Sequence, residues 1–284
     1  MVFSTNPLSL QKFTLIDNSI NKVMDRIKFL GTAGARFVVE KQVRASGGIW
    51  LTLDETNILV DPGPGTLVKC ASSKPKLDPS TLDGIILTHK HLDHSADINV
   101  MIEAMTEGGF KKRGEVFASL DALEEDPVIL RYLRGFVNKI HILKEGGNYS
   151  LGKINFSAPI KHIHEVETYG VIFKTSKYTI SLIVDTKFFP ELLKAYSKSD
   201  VIIMNVVRAE AKGKSLEMDH LNLEDAKTII QKIKPKLTIL THFGMTMVKA
   251  KPWEIVSKLS KEIGLKVIAA NDGMEVKLDE ELSG

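Results

Sequence analysis

The sequence is short of several features that would direct it elsewhere. It holds one cysteine, Cys70, in 284 residues. An intrachain disulfide is therefore excluded, and a reducing compartment is expected. Cys70 itself reads as a small buried apolar residue rather than a nucleophile. No stretch approaches the ~20 consecutive apolar residues that a membrane-spanning helix needs. A basic n-region is also missing. Leu8, Leu10, Phe13, Leu15 and Ile16 are interrupted by Ser9, Gln11, Lys12 and Thr14, which argues against a secretory signal. The expected location is cytoplasmic. An excess of one charge sign is absent too, because 38 Lys and Arg against 35 Asp and Glu leave a formal charge of +3. Such a balance speaks against a protein that coats nucleic acid.

What is present suits a globular chain with a substantial core, since 43% of residues are hydrophobic and 26% charged. Residues 1–25 read as an N-terminal extension, with Pro7 and no clear period, and residues 26–284 as one domain. Ile49, Leu51 and Leu53 alternate with Trp50 and Thr52, and a turn-forming stretch leads into Ile58-Leu59-Val60, which predicts a hairpin. It stops at Asp61-Pro62-Gly63-Pro64-Gly65. Gly84–Leu87, Thr179–Val184, Val201–Val207 and Leu237–Leu240 read as buried strands. Helices are expected over Ala96–Met105, Pro127–Val137, Asn222–Lys232 and Pro252–Ile263. A last hairpin is expected from Lys266–Ala270 and Met274–Leu278 around Asn271-Asp272-Gly273. This order predicts two sheets in the middle with helices outside.

The chemistry concentrates in Thr88-His89-Lys90-His91-Leu92-Asp93-His94. Of the eight histidines in the chain, three fall within these few residues. Imidazole and carboxylate together suit zinc, manganese or iron rather than calcium. His89 and His91 project to one side of an extended segment, while Asp93 and His94 sit where the chain turns into a helix, a spacing that suits two ions. Three apolar strands also end in a possible ligand. Ile85-Ile86-Leu87-Thr88 leads to His89, Ser181-Leu182-Ile183-Val184 to Asp185, and Thr238-Ile239-Leu240-Thr241 to His242. Strand ends on one edge of a sheet converge, so distant residues can meet there on rigid supports.

With these residues in place, the sequence resembles the metallo-β-lactamase superfamily of hydrolases over about residues 26–278. The resemblance implies an α/β fold, a four-layer αβ/βα sandwich of two mixed β-sheets flanked by helices. It also implies two divalent metal ions, zinc first and manganese or iron as alternatives, in a dinuclear site sharing a hydroxide. His89, His91 and a histidine from Pro159-Ile160-Lys161-His162-Ile163-His164 would hold one ion. His162 and His164 both remain open for that place, with His164 preferred on its spacing to Gly170. Asp93, His94 and His242 would hold the other ion, with Asp185 bridging and Asp61 supporting from behind. His220, before a helix, matches a histidine that acts near the leaving group in phosphodiesterase-like relatives, where an imidazole can serve as a general acid. Arg208 and Ser46 are candidate substrate contacts, and His141 is expected to be structural.

The opening Phe29-Leu30-Gly31-Thr32-Ala33-Gly34 is similar to the start of the phosphodiesterase branch. Asp93-His94-Ser95-Ala96-Asp97 lacks the glycines that follow the motif in the glyoxalase and thioesterase branch. A small phosphodiester is the expected substrate, with a thioester or lactone as the alternative. Nucleic acid is disfavoured as a partner because no long glycine-rich arm is evident, no membrane contact is expected, and self-association stays open. Flavodiiron proteins, a redox reading of a related fold, carry a glutamate where this chain has His91.

Overall fold

In a computed structural model, which describes residues 24–124, 126–210 and 219–283, the chain folds into two seven-stranded sheets. The strands are β1 (Arg26–Phe29), β2 (Ile49–Leu53), β3 (Thr56–Val60), β4 (Gly84–Leu87), β5 (Glu115–Ala118), β6 (Lys139–Ile142) and β7 (Gly147–Leu151). They continue with β8 (Ile154–Ala158), β9 (Val171–Lys174), β10 (Thr179–Ile183), β11 (Val201–Asn205), β12 (Leu237–Thr241), β13 (Val267–Ala269) and β14 (Glu275–Lys277). One sheet has the order β14-β1-β2-β3-β4-β5-β6 and the other β13-β12-β11-β10-β9-β8-β7. Residues 1–23 of the expected extension lie outside the described residues. Asp25, by contrast, is built into the fold: its Oδ1 accepts from the Asp54 amide at 2.8 Å and its carbonyl from the Leu278 amide at 2.9 Å.

The period of two along each strand sorts the side chains into layers. Ile27 and Phe29 of β1 and Ile86 of β4 face the inter-sheet core, where they join Phe156, Phe173 and Ile239. Leu30, Ile85 and Leu87 face outward, under the helix Ile98–Met105. On the far side, the helices Leu223–Ile233 and Pro252–Ile263 cover Ile202, Met204 and Leu240. The result is helix, sheet, sheet, helix. Asn222 caps the first of those helices by accepting from the Glu224 and Asp225 amides, while Asp225 accepts the Asn222 amide in return. No helix among the described residues is long and apolar enough to cross a membrane.

Two local expectations fail. The predicted helix Pro127–Val137 is replaced by a short 3-10 turn over Arg131–Gly135. Ile129, Leu133 and Val137 are buried as the spacing suggested. However, the Arg134 guanidinium donates to the carbonyls of Ile129 and Leu123, which holds this stretch out of helical register. The second failure is the C-terminal hairpin. β13 runs parallel to β12 in one sheet, whereas β14 pairs antiparallel with β1 in the other. The Asp272 carboxylate, at the crossing between sheets, accepts from the Thr32 amide and hydroxyl and from the Ala45 amide. Those long-range bonds turn an apparent hairpin loop into a connection between layers. His141 is a sheet residue, stacked on Phe117 at 4.4 Å and bonded to Glu115.

Candidate metal centre

The strand ends meet at one edge of the sandwich. β3 and β4 are parallel, as are β10, β11 and β12, so Asp61, His89, Asp185, Asn205 and His242 all lie at or just beyond carboxyl ends. The one-turn helix Leu92–Ser95 follows directly and supplies Asp93 and His94. Close approach is secured by glycine. A Cβ on Gly34 would come within 2.2 Å of the His242 carbonyl oxygen, and one on Gly63 within 2.1 Å of that of Asp93. Asp61 and His242 themselves sit at φ of 51° and 59°, a left-handed conformation that non-glycine residues adopt at some cost.

Two groups of side chains form there. The ring nitrogens of His89, His91 and His164 lie within 4.8 Å of one another, and so do ligand atoms of Asp93, His94, Asp185 and His242. His91 Nδ1 faces His164 Nε2 at 3.1 Å, and His94 Nε2 faces His242 Nε2 at 2.9 Å. Asp185 Oδ2 stands between the groups, 3.8 Å from His89 Nε2, 3.4 Å from His94 Nε2 and 3.3 Å from His220 Nε2. His89 is fully buried, yet its Nε2 has no hydrogen-bond partner among the described residues. A buried nitrogen left this way is costly unless something binds it. Imidazoles aimed at one another around carboxylates form a donor set that fits a divalent transition metal.

The supporting bonds fix which nitrogen faces the centre. Asp61 accepts from the Thr88 amide and hydroxyl, both at 2.7 Å, and lies 2.9 Å from His94 Nδ1. A proton on His94 Nδ1 then leaves Nε2 turned inward. His164 Nδ1 meets the Asp219 carbonyl at 3.0 Å, which likewise directs its Nε2 toward His91. Burial pushes His89, His91 and His164 toward the neutral form, the state in which imidazole ligates a metal. Burial would also raise Asp93 and Asp185, but facing histidines outweigh it and hold both well below the usual carboxylate range. The same carboxylates, with Asp61, raise His94 against its burial.

Several other expected residues take distinct positions. His162 is buried away from both groups, with Nε2 2.9 Å from the Tyr196 hydroxyl. The structure therefore brings His164, and not His162, to His89 and His91. His220 joins His164 and Asp185 in a further cluster. Arg208 is buried and donates to the His220 carbonyl at 2.5 Å. Ser46 is buried beside Gln42, and it is the following Gly47 and Gly48 that line the central cavity of about 40 Å³. Sequence reasoning missed Asn205, whose amide donates to Asp185 Oδ1 at 2.9 Å. Its signal was available, because it ends an apolar strand beside those leading to Asp185 and His242.

The family profile described as "Beta-lactamase superfamily domain" matches residues 56–243, which include most of this edge. The chain belongs to the metallo-β-lactamase superfamily. Among relatives of this metallo-β-lactamase chain, the protein MJ1374 of Methanocaldococcus jannaschii is 30% identical over 260 residues, covering 89% of this chain and 94% of the relative. The probable metallo-hydrolase YhfI of Bacillus subtilis is 24% identical over 209 residues, 71% of this chain and 82% of its own length. The crystal structure of YhfI superposes with a TM-score of 0.74 at 19% identity, covering 89% of this chain and 99% of that one. A diphosphatase of the PhnP family gives a TM-score of 0.66 at 18% identity, with 89% and 96% covered.

Proposed function

We propose that this chain is a metal-dependent hydrolase of a small phosphodiester that works with two divalent ions, zinc in the first instance. One observation carries the reading: Asp185 Oδ2 lies between a three-histidine group and an Asp-His-His group whose nitrogens face one another. His89, His91 and His164 would hold one ion, Asp93, His94 and His242 the other, and Asp185 would bridge. When bound, such ions polarise a phosphoryl oxygen and make water available as a nucleophile near neutral pH. The chain's own residues then hold and move protons. Asp61 keeps the His94 proton on Nδ1, and the Asp219 carbonyl does the same for His164. His220 is buried, which disfavours its charged form, but Asp185 raises it above the ordinary histidine range. With its Nε2 facing the centre, 3.3 Å from Asp185 Oδ2, His220 is assigned the donation of a proton to a departing alkoxide. Arg208, bonded to the His220 carbonyl, fixes the backbone on which that imidazole sits.

The phosphodiester preference rests on the Phe29–Gly34 opening, on His220, and on a structural likeness to a protein named as a diphosphatase. The test is a panel of bis(p-nitrophenyl) phosphate, a thioester and a lactone on metal-reconstituted protein, with metal analysis alongside. About two ions per chain and turnover of the phosphodiester are expected. Turnover confined to the thioester or lactone would overturn the substrate class, and full activity in metal-free protein would overturn the metal reading.

A further inference from the structure

The two carboxylate oxygens of Asp185 have different surroundings. Oδ2 faces His89, His94 and His220, at 3.8, 3.4 and 3.3 Å. Oδ1 faces the Asn205 side-chain amide at 2.9 Å and His242 Nδ1 at 3.4 Å. Of these two, only Asn205 donates a hydrogen bond, because His242 Nδ1 has no hydrogen-bond partner among the described residues.

Asn205 is the polar exception on its own strand. β11 runs Val201-Ile202-Ile203-Met204 before it and is buried along its whole length. Val201 and Ile203 face the inter-sheet core, while Ile202 and Met204 lie under the helices. The period of two therefore puts Asn205 on the inter-sheet face, where an apolar residue would continue the pattern. Only 8% of it is exposed, and it lines the central cavity. Register sets it beside Thr241 of β12, one residue before His242, and β10 on the other side leads to Asp185. A buried amide is costly unless hydrogen-bonded, and a bond to a carboxylate is stronger than one between neutral groups. Since a carboxylate only accepts, the amide nitrogen must be the atom turned to Asp185. An aspartate at this place would set a second acceptor against the first, and two carboxylates that close repel.

We infer that Asn205 is a positioning residue: it holds Oδ1 of Asp185, so that Oδ2 is presented to the two groups of candidate ligands and to His220. The inference rests on the dinuclear reading proposed above. Because the amide is neutral, it orients the carboxylate without cancelling the negative charge that two cations require. Ligating carboxylates are themselves oriented by hydrogen bonds, and loss of such a partner lowers metal affinity. Asn205 would do for Asp185 what Asp61 does for His94.

Asn205→Leu, which keeps the branched shape and removes the donor, tests this in the full chain. Zinc affinity, read by competition with a chromogenic chelator, should fall by about tenfold or more. At saturating zinc, kcat for bis(p-nitrophenyl) phosphate should fall while KM holds, because Asn205 acts through Asp185. An amide that only stabilised the fold would lower Tm equally with and without zinc. Loss of positioning instead shrinks the rise in Tm that zinc produces. Should Asn205→Leu fail to fold, Asn205→Ala carries the same expectations. Zinc affinity equal to the parent's in a folded variant overturns the inference. A rise in KM with kcat unchanged also overturns it, by making Asn205 a substrate contact. A parent chain that binds no zinc would overturn the dinuclear reading itself, and this inference with it.

Discussion

Between the sheets, Phe117 meets Phe156 edge-on at 4.9 Å, and Phe156 meets Phe173 at 5.6 Å, within a cluster of buried apolar side chains. A few residues further along the same layers, His89, His94 and Asp185 are as thoroughly buried, at 0%, 3% and 2% exposure, and are all polar. The strands feeding the two regions are the same. β10 places Leu182 in the core and leads to Asp185 at the edge; β12 places Ile239 in the core and leads to His242. In the core, burial of apolar area stabilises the fold without specifying any one partner. At the edge, burial works against the charged and polar groups; these persist through mutual pairing, and the cost shows in the left-handed backbone at Asp61 and His242 and in a buried His89 Nε2 with no hydrogen-bond partner among the described residues. The interior stabilises the scaffold, and the edge uses that stability to hold an otherwise unfavourable cluster.

The largest expected effect follows from removing the group that joins both halves of the edge. Asp185→Asn should lower turnover of a generic phosphodiester by about 10³-fold or more, roughly 4 kcal/mol in the barrier, while circular dichroism stays native. Wild-type turnover in this variant would erase the functional side of the contrast. In the core the opposite split is expected. Phe156→Ala should cost about 3–5 kcal/mol in urea denaturation, with metal stoichiometry per folded chain unchanged.

A smaller effect separates two neighbouring histidines. Burial of His162 lowers it from 6.5 to about 4, so the folded chain keeps it neutral while the unfolded chain takes up a proton below pH 6.5. Between those limits the unfolded state binds more protons, so this contribution is complete above pH 6.5 and is lost as pH falls toward 4. It amounts to about 3 kcal/mol at most. Denaturation curves at pH 7 and pH 5 should converge in His162→Gln, and a wild-type slope retained by that variant would exclude His162 as the source. The smallest effect concerns Asp61, which touches His94 from behind. Asp61→Ala should weaken metal binding by about 10–100-fold, read by competition with a chelator, and leave the fold intact.

Much of the fold was legible because strands buried on both faces read as mostly apolar runs, as in Gly84–Leu87 and the Val201–Met204 part of Val201–Asn205. Partly exposed strands such as Lys139–Ile142 and Gly147–Leu151 carry no such run and were missed. The apparent helix over Pro127–Val137 had the right buried positions and the wrong backbone, because Arg134 bonds to carbonyls that its own sequence neighbourhood does not reveal.

For the site, sequence by itself determined the chemical inventory: His89, His91, Asp93 and His94 together, and the residues that close the strands at Asp185 and His242. Those follow from residue type and local spacing, which tertiary structure does not alter. Only the fold shows which of His162 and His164 lies beside His89 and His91. Both lie in one short segment, yet the turn there sends His162 to Tyr196 and His164 to His91. Asn205 joined the site, and β13 and β14 parted into different sheets, for the same kind of reason. Contacts between residues far apart in sequence depend on how layers stack, and no local pattern encodes that.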